Sequence, residues 1–379
     1  MGCCEKKKNN DGNLIEKDNN NEDNNRDSNV PKKLSYNDFI LVKLLGRGSF
    51  GQVLLVRLKK NNQLYAMKIL NKNYIKIKKQ EQNTKTERNL MVQMDCPFIV
   101  NIKFAFQDSQ KLYIISEFLQ GGDMFFHMNS GVKKTLKFQR IKFYAVELVL
   151  AIDYLHKNKM IYRDLKPENI LLDSNGHVKL TDFGLSKVLE NENDKTFTIC
   201  GTPQYLAPEV ILQKGYDTSI DWWSLGCVLY QMLTGKIPFT IEKGMKLNMN
   251  IYKKEIKYPE DIDENFKDLL QKLLMINPEE RIGNGFEGGN EIKGHSFFED
   301  VEWDKAWERE ITPPFIPKLN SDTDLRYFDP LFTKENIEDI HKNHNKDYNN
   351  KEPEEENTID DYSGFTYVSE SISKQILEI

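Results

Sequence analysis

The sequence lacks any long hydrophobic run: no stretch of about 18 consecutive apolar residues occurs in the chain. We therefore expect no membrane-spanning helix, and the first residues show no apolar core of the kind that marks a secretory signal. Cysteines are few, five in 379 residues, and they are scattered apart from the adjacent Cys3 and Cys4. This number and spacing predict neither a disulfide framework nor a zinc site, and they favour a reducing compartment.

Excess positive charge is also absent. Lys and Arg number 53 against 58 Asp and Glu, which gives a net charge of −5. Without a basic field the chain has no general attraction for nucleic acid, so we expect no nucleic-acid partner. Residues 1–33 are rich in Asn, Asp and Lys and nearly free of large apolar side chains, and we expect them to be disordered.

Hydrophobic periodicity predicts a sheet-rich part followed by a helix-rich part. Strand patterns cover residues 52–58, 63–70, 99–107 and 111–118, and a helix pattern covers about 84–94. Longer helix patterns follow at 136–157, 217–234 and 264–276. This order is typical of an α+β architecture with two lobes and a cleft between them. From about Asp300 the periodicity is lost, and P-P-F at 313–315 is expected to begin an extended tail with aromatic islands and a polar, acidic interruption at 343–357.

The most informative stretch is Y-R-D-L-K-P-E-N at 162–169, followed by T-D-F-G at 181–184. It places two carboxylates, an amide, a lysine and an arginine within about twenty residues, on a loop that Pro167 keeps from forming a plain helix. Phosphoryl transfer needs hard oxygen ligands for Mg²⁺, an acceptor for the substrate hydroxyl proton and a cation on the moving phosphate. The stretch supplies these groups.

This stretch resembles the catalytic loop and the metal-binding D-F-G segment of eukaryotic protein kinases. The resemblance implies that Asp164 accepts or orients the proton of the substrate hydroxyl and that Lys166 stabilises charge on the transferred phosphoryl group. It also implies that Asn169 and Asp182 bind Mg²⁺. A lysine two residues after the aspartate is typical of the serine/threonine kinases.

A glycine-rich loop lies further upstream, with Gly46, Gly48 and Gly51 followed by Val53. Glycines let backbone N–H groups approach phosphate oxygens. A similar motif occurs in dinucleotide-binding folds, but there a helix follows, whereas a strand pattern follows here. The loop therefore resembles the one that covers the ATP phosphates in kinases.

The remaining nucleotide-binding residues follow from the same resemblance. Lys68, after Ala66 in the next strand, is expected to hold the α- and β-phosphates, with Glu87 orienting it. Taken alone, each could be an ordinary surface charge. Backbone groups of Glu117 and Leu119 are expected to bind adenine. The cofactor-binding set is Gly46, Gly48, Gly51, Val53, Ala66, Lys68, Glu117, Leu119, Asp123 and Glu168.

Two acidic residues also bear on substrate choice. Asp123 and Glu168 match acids that read arginine before the target residue in relatives of protein kinases A, G and C, the AGC group. A third position, usually acidic, is Gln231. We therefore expect a basophilic kinase that favours arginine three residues before the Ser or Thr. Asp123 could instead serve only the ribose hydroxyls.

The large lobe contains two further structural signatures. Glu209, in the A-P-E segment, is expected to pair with Arg281. Asp221 begins a strongly apolar helix, and we expect it to cap backbone N–H groups of the catalytic loop.

The activation segment T-I-C-G-T-P at 198–203 resembles that of AGC kinases. Thr198 is the expected phosphosite, with Thr196 as a lesser candidate, and Arg163 is expected to meet the phosphate together with Lys187.

The C-terminal tail, 299–379, resembles the AGC regulatory tail. Y-F-D at 327–329 looks like the segment that closes over adenine, and 362–367 looks like the hydrophobic motif, with Thr366 as its phosphosite. No Ser or Thr occurs from 334 to 357, and Thr333 and Thr358 fit poorly, so the sequence offers no good match for the usual turn-motif phosphosite.

The first residues suggest lipid attachment. Gly2 is a candidate for myristoylation, and Cys3 and Cys4 for palmitoylation, with a short basic run toward anionic lipid. Lys6 departs from the myristoylation pattern, and the alternative is a featureless start. We expect a cytoplasmic protein that associates with a membrane surface through this segment.

Together these patterns identify the chain as resembling the protein kinase B and ribosomal-protein kinase branch. The implied fold is the bilobal α+β protein-kinase fold over residues 39–298. We expect a monomeric serine/threonine kinase that uses ATP and Mg²⁺ on protein substrates and is activated by an upstream kinase. A pseudokinase scaffold is the alternative, which the presence of Lys68, Asp164, Asn169 and Asp182 disfavours. A small-molecule kinase is disfavoured by the peptide-binding segment at 201–209.

Overall fold

The computed structural model describes residues 34–48, 51–78, 80–130, 135–191, 194–239, 249–349, 362–370 and 372–373. From Ser35 onward these residues belong to one compact unit. The segment 1–33, expected to be disordered and to carry the acylation sites Gly2, Cys3 and Cys4, lies outside the described residues. Among the described helices, none is both long enough and apolar enough to cross a bilayer.

The first lobe is built on an antiparallel sheet, and shorter strands follow in the second lobe. The strands are β1 Phe39–Gly48, β2 Gly51–Leu58, β3 Leu64–Asn71, β4 Ile102–Gln107, β5 Lys111–Glu117, β6 Gly122–Asp123, β7 Met160–Ile161, β8 Ile170–Leu172, β9 Val178–Leu180, β10 Lys187–Val188 and β11 Tyr367–Val368. The order in the six-stranded sheet is β1-β2-β3-β5-β4-β11. The register pairs Val53 with Lys68 and Lys68 with Ile114, which places Lys68 at the centre of the sheet.

Helices flank this sheet and build the second lobe. They are α1 Lys72–Ile77, α2 Glu81–Gln93, α3 Met124–Asn129, α4 Phe138–Lys157, α5 Pro208–Leu212, α6 Ser219–Thr234, α7 Glu264–Leu273, α8 Gly289–Lys293, α9 Trp303–Trp307, α10 Pro330–Thr333 and α11 Ile337–Asn349. Helix α4 is buried along most of its length and contacts α6, α8 and α9. The predicted α+β architecture with two lobes is confirmed.

Helix α6 forms part of the core of the second lobe because its apolar side chains, including Trp222 and Trp223, are fully buried. The predicted Glu209–Arg281 pair lies beside it. The two terminal guanidinium nitrogens of Arg281 donate to the Glu209 carboxylate, at 2.6 and 3.0 Å, and Nη1 also donates to the Ser219 carbonyl oxygen. A buried charge is tolerated when it is paired and hydrogen-bonded in this way.

The expectation of an extended tail from Pro313 was wrong in part, since α10 and α11 lie within it, and α9 is a helix beyond Asp300, where no periodicity was seen. In α11 the residues Ile337, Ile340 and His344 are spaced three and four apart, which places them on one face of a helix. Ile340 and His344 are buried, and α11 contacts β1. The apolar stripe is too short, and the surrounding sequence too polar, to stand out before the sheet that it packs on is known.

Candidate active site

Three charged side chains from three elements meet at the cleft. Lys68 on β3 donates from Nζ to Glu87 Oε1 on α2 at 2.7 Å and to Asp182 Oδ1 at 3.2 Å. Burial disfavours the charged lysine, but the carboxylates of Asp182 and Glu87 outweigh this effect and raise the pKa of Lys68. Lys68 in turn lowers the pKa of Asp182. Both groups are therefore ionised near neutral pH.

A second cluster is centred on the carboxylate of Asp164. Lys166 Nζ donates to its Oδ2 at 2.7 Å, and the Thr202 hydroxyl donates to its Oδ1 at 2.8 Å. The Asn169 amide nitrogen donates to the same Oδ2 and to the Asp164 carbonyl oxygen, at 2.9 and 2.8 Å. Because three groups hold it, the carboxylate has one fixed orientation, which suits an acceptor of a substrate proton.

Asp221 holds the backbone of the catalytic loop. Its carboxylate accepts hydrogen bonds from the N–H groups of Tyr162 and Arg163, each at 2.9 Å, as the sequence predicted. Arg163 and Asp182 both adopt positive φ angles, 70° and 62°. Non-glycine residues rarely adopt this conformation, and it persists only where the surrounding structure enforces it. The left-handed residue of the D-F-G segment is thus Asp182 itself and not Gly184.

The three glycines of the glycine-rich loop differ in what surrounds them. A Cβ built at Gly46 or Gly48 would meet nothing within 4 Å, whereas one at Gly51 would lie 1.8 Å from the Ile69 carbonyl oxygen. Gly51 is therefore needed for the pairing of β2 with β3. At Gly46 and Gly48 the space beside the backbone is open, as approach by a ligand requires.

Lys68, Glu87 and Asp182 line a cavity of about 320 Å³ between the lobes. Its walls contain every predicted nucleotide-binding residue except Gly51, which lines the adjoining cavity with Lys68, Asp164 and Asp182. The set in the first cavity is Gly46, Gly48, Val53, Ala66, Lys68, Glu117, Leu119, Asp123 and Glu168. Phe328 of the tail also lines it, and its ring stacks on Phe118 at 5.8 Å.

Asp123 lines the same cavity. Its carboxylate caps α3 by accepting from the Phe126 N–H at 2.7 Å. Burial and, to a smaller extent, the charge of Glu168 raise the pKa of Asp123 to about 6. Asp123 and Glu168 thus form an acidic edge, and the charge of Asp123 depends on pH near its pKa.

Comparison with known proteins shows which family has this arrangement. The family model described as "Protein kinase domain" matches residues 39–298, and the one described as "Protein kinase C terminal domain" matches residues 319–367. The chain belongs to the protein kinase family.

Individual relatives show which kinases the chain is similar to. The chain is 43% identical over 342 residues to "Protein kinase 2" of Dictyostelium discoideum, and the aligned region covers 89% of this chain and 68% of the relative. Identity is 45% over 304 residues to "Serine/threonine-protein kinase YPK2/YKR2" of Saccharomyces cerevisiae, covering 80% and 44%. "Ribosomal protein S6 kinase alpha-3" of Homo sapiens is 44% identical over 311 residues, covering 81% and 42%. The chain thus spans less than half of the last two relatives.

These findings confirm the predicted serine/threonine kinase of the AGC group over the pseudokinase scaffold. Several residues that the sequence reasoning did not assign take part in the site. Thr202, whose hydroxyl orients Asp164, lies in the recognised G-T-P segment and could have been singled out. Met91 and Leu171, which line the nucleotide cavity of the kinase, carry no signal in their sequence context.

The two threonines of the activation segment differ in exposure. Thr198 is exposed, while Thr196 is buried and its hydroxyl accepts a hydrogen bond from Lys187 Nζ at 3.1 Å. A modifying enzyme can reach the first more easily than the second. Arg163 donates to the carbonyl oxygens of Leu185 and Ser186.

The hydrophobic motif lies against the small lobe of the kinase. Phe365 is buried, and β11 pairs with β4, with Tyr367 opposite Ala105. Arg88, next to Glu87 on α2, donates to the carbonyl oxygens of Phe365, Gly364 and Thr366 at 3.0, 2.6 and 3.1 Å. The motif therefore contacts the helix that carries Glu87, mainly through backbone oxygens, while the Thr366 side chain is exposed.

Proposed function

We propose that this kinase transfers the γ-phosphate of ATP to Ser or Thr of protein substrates, with Asp164, Lys166, Lys68 and Glu87 as its catalytic residues. The observation that carries the proposal is the orientation of the Asp164 carboxylate by Lys166, Thr202 and Asn169 beside the Lys68–Asp182 ion pair. Asp164 accepts or orients the proton of the substrate hydroxyl. Lys166, at 2.7 Å from Asp164, supplies positive charge where the phosphoryl group moves.

The residues present fit a magnesium site. Asp182 offers a carboxylate whose pKa is lowered by Lys68, so the carboxylate is ionised. The Asn169 amide nitrogen is engaged by Asp164, which leaves the amide oxygen as the ligand atom. Carboxylate and amide oxygens suit Mg²⁺, which when bound neutralises phosphate charge.

The size and position of a second cavity support the proposal that the substrate is a protein. A cavity of about 1130 Å³ extends from Glu168 and Thr202 along the second lobe. At its wall, Tyr205 donates to the Gln231 side-chain oxygen at 2.7 Å. The acidic edge of Asp123 and Glu168 supports a preference for arginine three residues before the phosphorylated residue, and a weaker one two before.

A positional peptide array tests this preference. The parent is expected to favour arginine upstream of Ser or Thr, and Glu168→Gln is expected to weaken one arginine position selectively. Asp164→Ala serves as the inactive control. An array without any basic preference would refute the basophilic assignment, whereas absence of transfer by the parent would refute the catalytic one.

Activation is proposed to depend on phosphate at Thr198, added by an upstream kinase. Three observations support this role: Thr198 is exposed, Lys187 contacts Thr196, and the Tyr216 hydroxyl joins Arg163 (3.4 Å) to the Thr198 carbonyl oxygen (2.6 Å). Phosphothreonine placed at 198 by genetic code expansion is expected to raise activity at least about tenfold. Thr196→Ala, at the lesser candidate site, is the control and should still be activated by the upstream kinase. If the upstream kinase activated the protein equally without modifying Thr198, the assignment would be contradicted.

Phosphate at Thr366 is proposed as the second activating signal, since the exposed hydroxyl lies next to the docked Phe365.

We also propose that the monomeric kinase is cytoplasmic and reaches membranes through acylation of Gly2, Cys3 and Cys4. Fractionation of cells that express the parent or Gly2→Ala tests this, and equal membrane fractions would eliminate the idea.

A further inference from the structure

The tail passes from the nucleotide cavity directly to the glycine-rich loop. Phe328 lines the cavity, and seven residues later Glu335 contacts Arg47, which lies between Gly46 and Gly48. The guanidinium donates from Nη1 to Glu335 Oε1 at 2.5 Å and from Nη2 to Oε2 at 2.7 Å. Two parallel hydrogen bonds of this kind fix the orientation of both side chains as well as their separation.

Glu335 has a defined position because a short helix lies on each side of it. Asp329 caps the start of α10 by accepting from the Leu331 N–H, and the Glu335 N–H donates to the Phe332 carbonyl oxygen at 3.0 Å. Asn336 accepts from the Glu338 N–H at the start of α11. Helix α10 also contacts β1, the strand that carries Arg47.

The far end of this segment is anchored on the sheet through His344. The imidazole stacks on the Tyr36 ring with centroids 3.9 Å apart and planes 5° apart, and a hydrogen bond of 3.0 Å joins its Nε2 to the Tyr113 hydroxyl. Lys111 donates to the His344 carbonyl oxygen. Since His344 is 5% exposed, this contact holds α11 on the lobe that binds the nucleotide.

The glycine-rich loop is paired through its backbone, since β1 and β2 pair as far as Gly48 and Gly51. No atom lies within 4 Å of a Cβ position at Gly46 or Gly48, so the contact of Arg47 with Glu335 adds a side-chain support to this pairing. We propose that Glu335 is a positioning residue for the nucleotide: through Arg47 it holds the glycine-rich loop over the phosphates. No Ser or Thr lies between 334 and 357, so this tether does not depend on Ser/Thr phosphorylation within its own segment. The inference rests on the ATP-dependent transfer proposed above.

The test compares two ion pairs that both join the tail to the sheet. Glu335→Gln removes the pair at the loop, and Asp322→Asn removes the Arg57–Asp322 pair (3.1 Å), in which Arg57 lies on β2. Glu335→Gln is expected to raise the Kd of a fluorescent ATP analogue and the KM for ATP about three- to fivefold, as for loss of one well-oriented surface pair. The KM for peptide and kcat should stay unchanged, and Asp322→Asn should behave as the parent.

A double-mutant cycle shows whether Glu335 acts through Arg47. In an Arg47→Gln background, Glu335→Gln is expected to have no further effect on nucleotide affinity. His344→Ala, which removes the anchor, is expected to weaken nucleotide binding in the same direction as Glu335→Gln.

Each result decides the inference. Equal nucleotide affinity of parent, Glu335→Gln and Asp322→Asn would overturn the proposal while leaving the catalytic assignment intact. An additive effect in the Arg47→Gln background would also overturn it. A parent that binds the ATP analogue but transfers no phosphate would instead refute the proposed function. Unfolding temperatures of all variants, measured in parallel, separate positioning from loss of stability.

Discussion

The catalytic cluster and the C-terminal tail are held together in opposite ways. Around Asp164 and Lys68 charged side chains contact one another at 2.7 to 3.2 Å, so each atom that takes part in the chemistry has a fixed neighbour. The hydrophobic motif instead docks through backbone oxygens that accept hydrogen bonds from Arg88, and through buried rings such as Phe365. The first arrangement fixes the side chains that we propose take part in the transfer, and the second fixes the position of the tail on the small lobe. We therefore expect abrupt effects in the cluster and graded ones in the tail.

The largest effect is expected for Asp164→Asn. The variant keeps the shape of the side chain but loses the proton acceptor, so kcat should fall about a thousandfold or more. Affinity for an ATP analogue should change little, because Lys68, Glu87 and Asp182 still hold their positions. Steady-state kinetics and nucleotide binding measure the two quantities. A residual rate above one tenth of the parent would show that Asp164 is not the acceptor.

A smaller loss is expected for Phe365→Ala in the tail. Truncation of a buried Phe costs about 3–5 kcal/mol in a protein core, and even a third of that shifts the balance between docked and undocked motif about tenfold. Peptide phosphorylation should fall by about that factor, because α2 and Glu87 lose their support.

Thr366→Ala is the matched control for Phe365→Ala, since the Thr366 side chain is exposed and only its carbonyl oxygen contacts Arg88. In unphosphorylated protein it should stay within about twofold of the parent, because exposed substitutions rarely cost more than about 0.5 kcal/mol. If both variants lost activity equally, docking through rings and backbone would not be the distinguishing feature of the tail.

The smallest effect is expected from pH at the acidic edge, which lines the nucleotide cavity. The pKa of Asp123 is about 6, so protonation removes its charge as the pH falls through that value. Between pH 7.5 and 5.5 the ionised fraction drops about fourfold, and the KM for an arginine-containing peptide should rise by a similar factor.

An Asp123→Asn variant should show a flat KM over the same pH range. A peptide without arginine is the second control. If the KM for ATP moves with pH and that for the peptide does not, Asp123 serves the ribose and not the arginine.

Much of the site could be predicted because its residues lie in short motifs. Asp164, Lys166 and Asn169 lie within six positions, and a short segment constrains their spacing whatever surrounds them. The Lys68–Glu87 pair could be predicted only from the resemblance to kinases, because α1 lies between β3 and the helix that carries Glu87. Helix α11 could not be predicted from the sequence. Its single apolar stripe is short, and it is recognised as a buried face only once the sheet that it packs against is known.

The sequence by itself was enough to predict a protein kinase and to propose which groups accept a proton, hold phosphate and bind a metal, and where phosphate is added. Those properties belong to residue types at local spacings. Only the tertiary structure decided which distant groups meet, since Lys68 contacts Asp182 across 114 positions and Arg47 contacts Glu335 across 288. Such contacts depend on the path of the whole chain, and no local pattern contains that path.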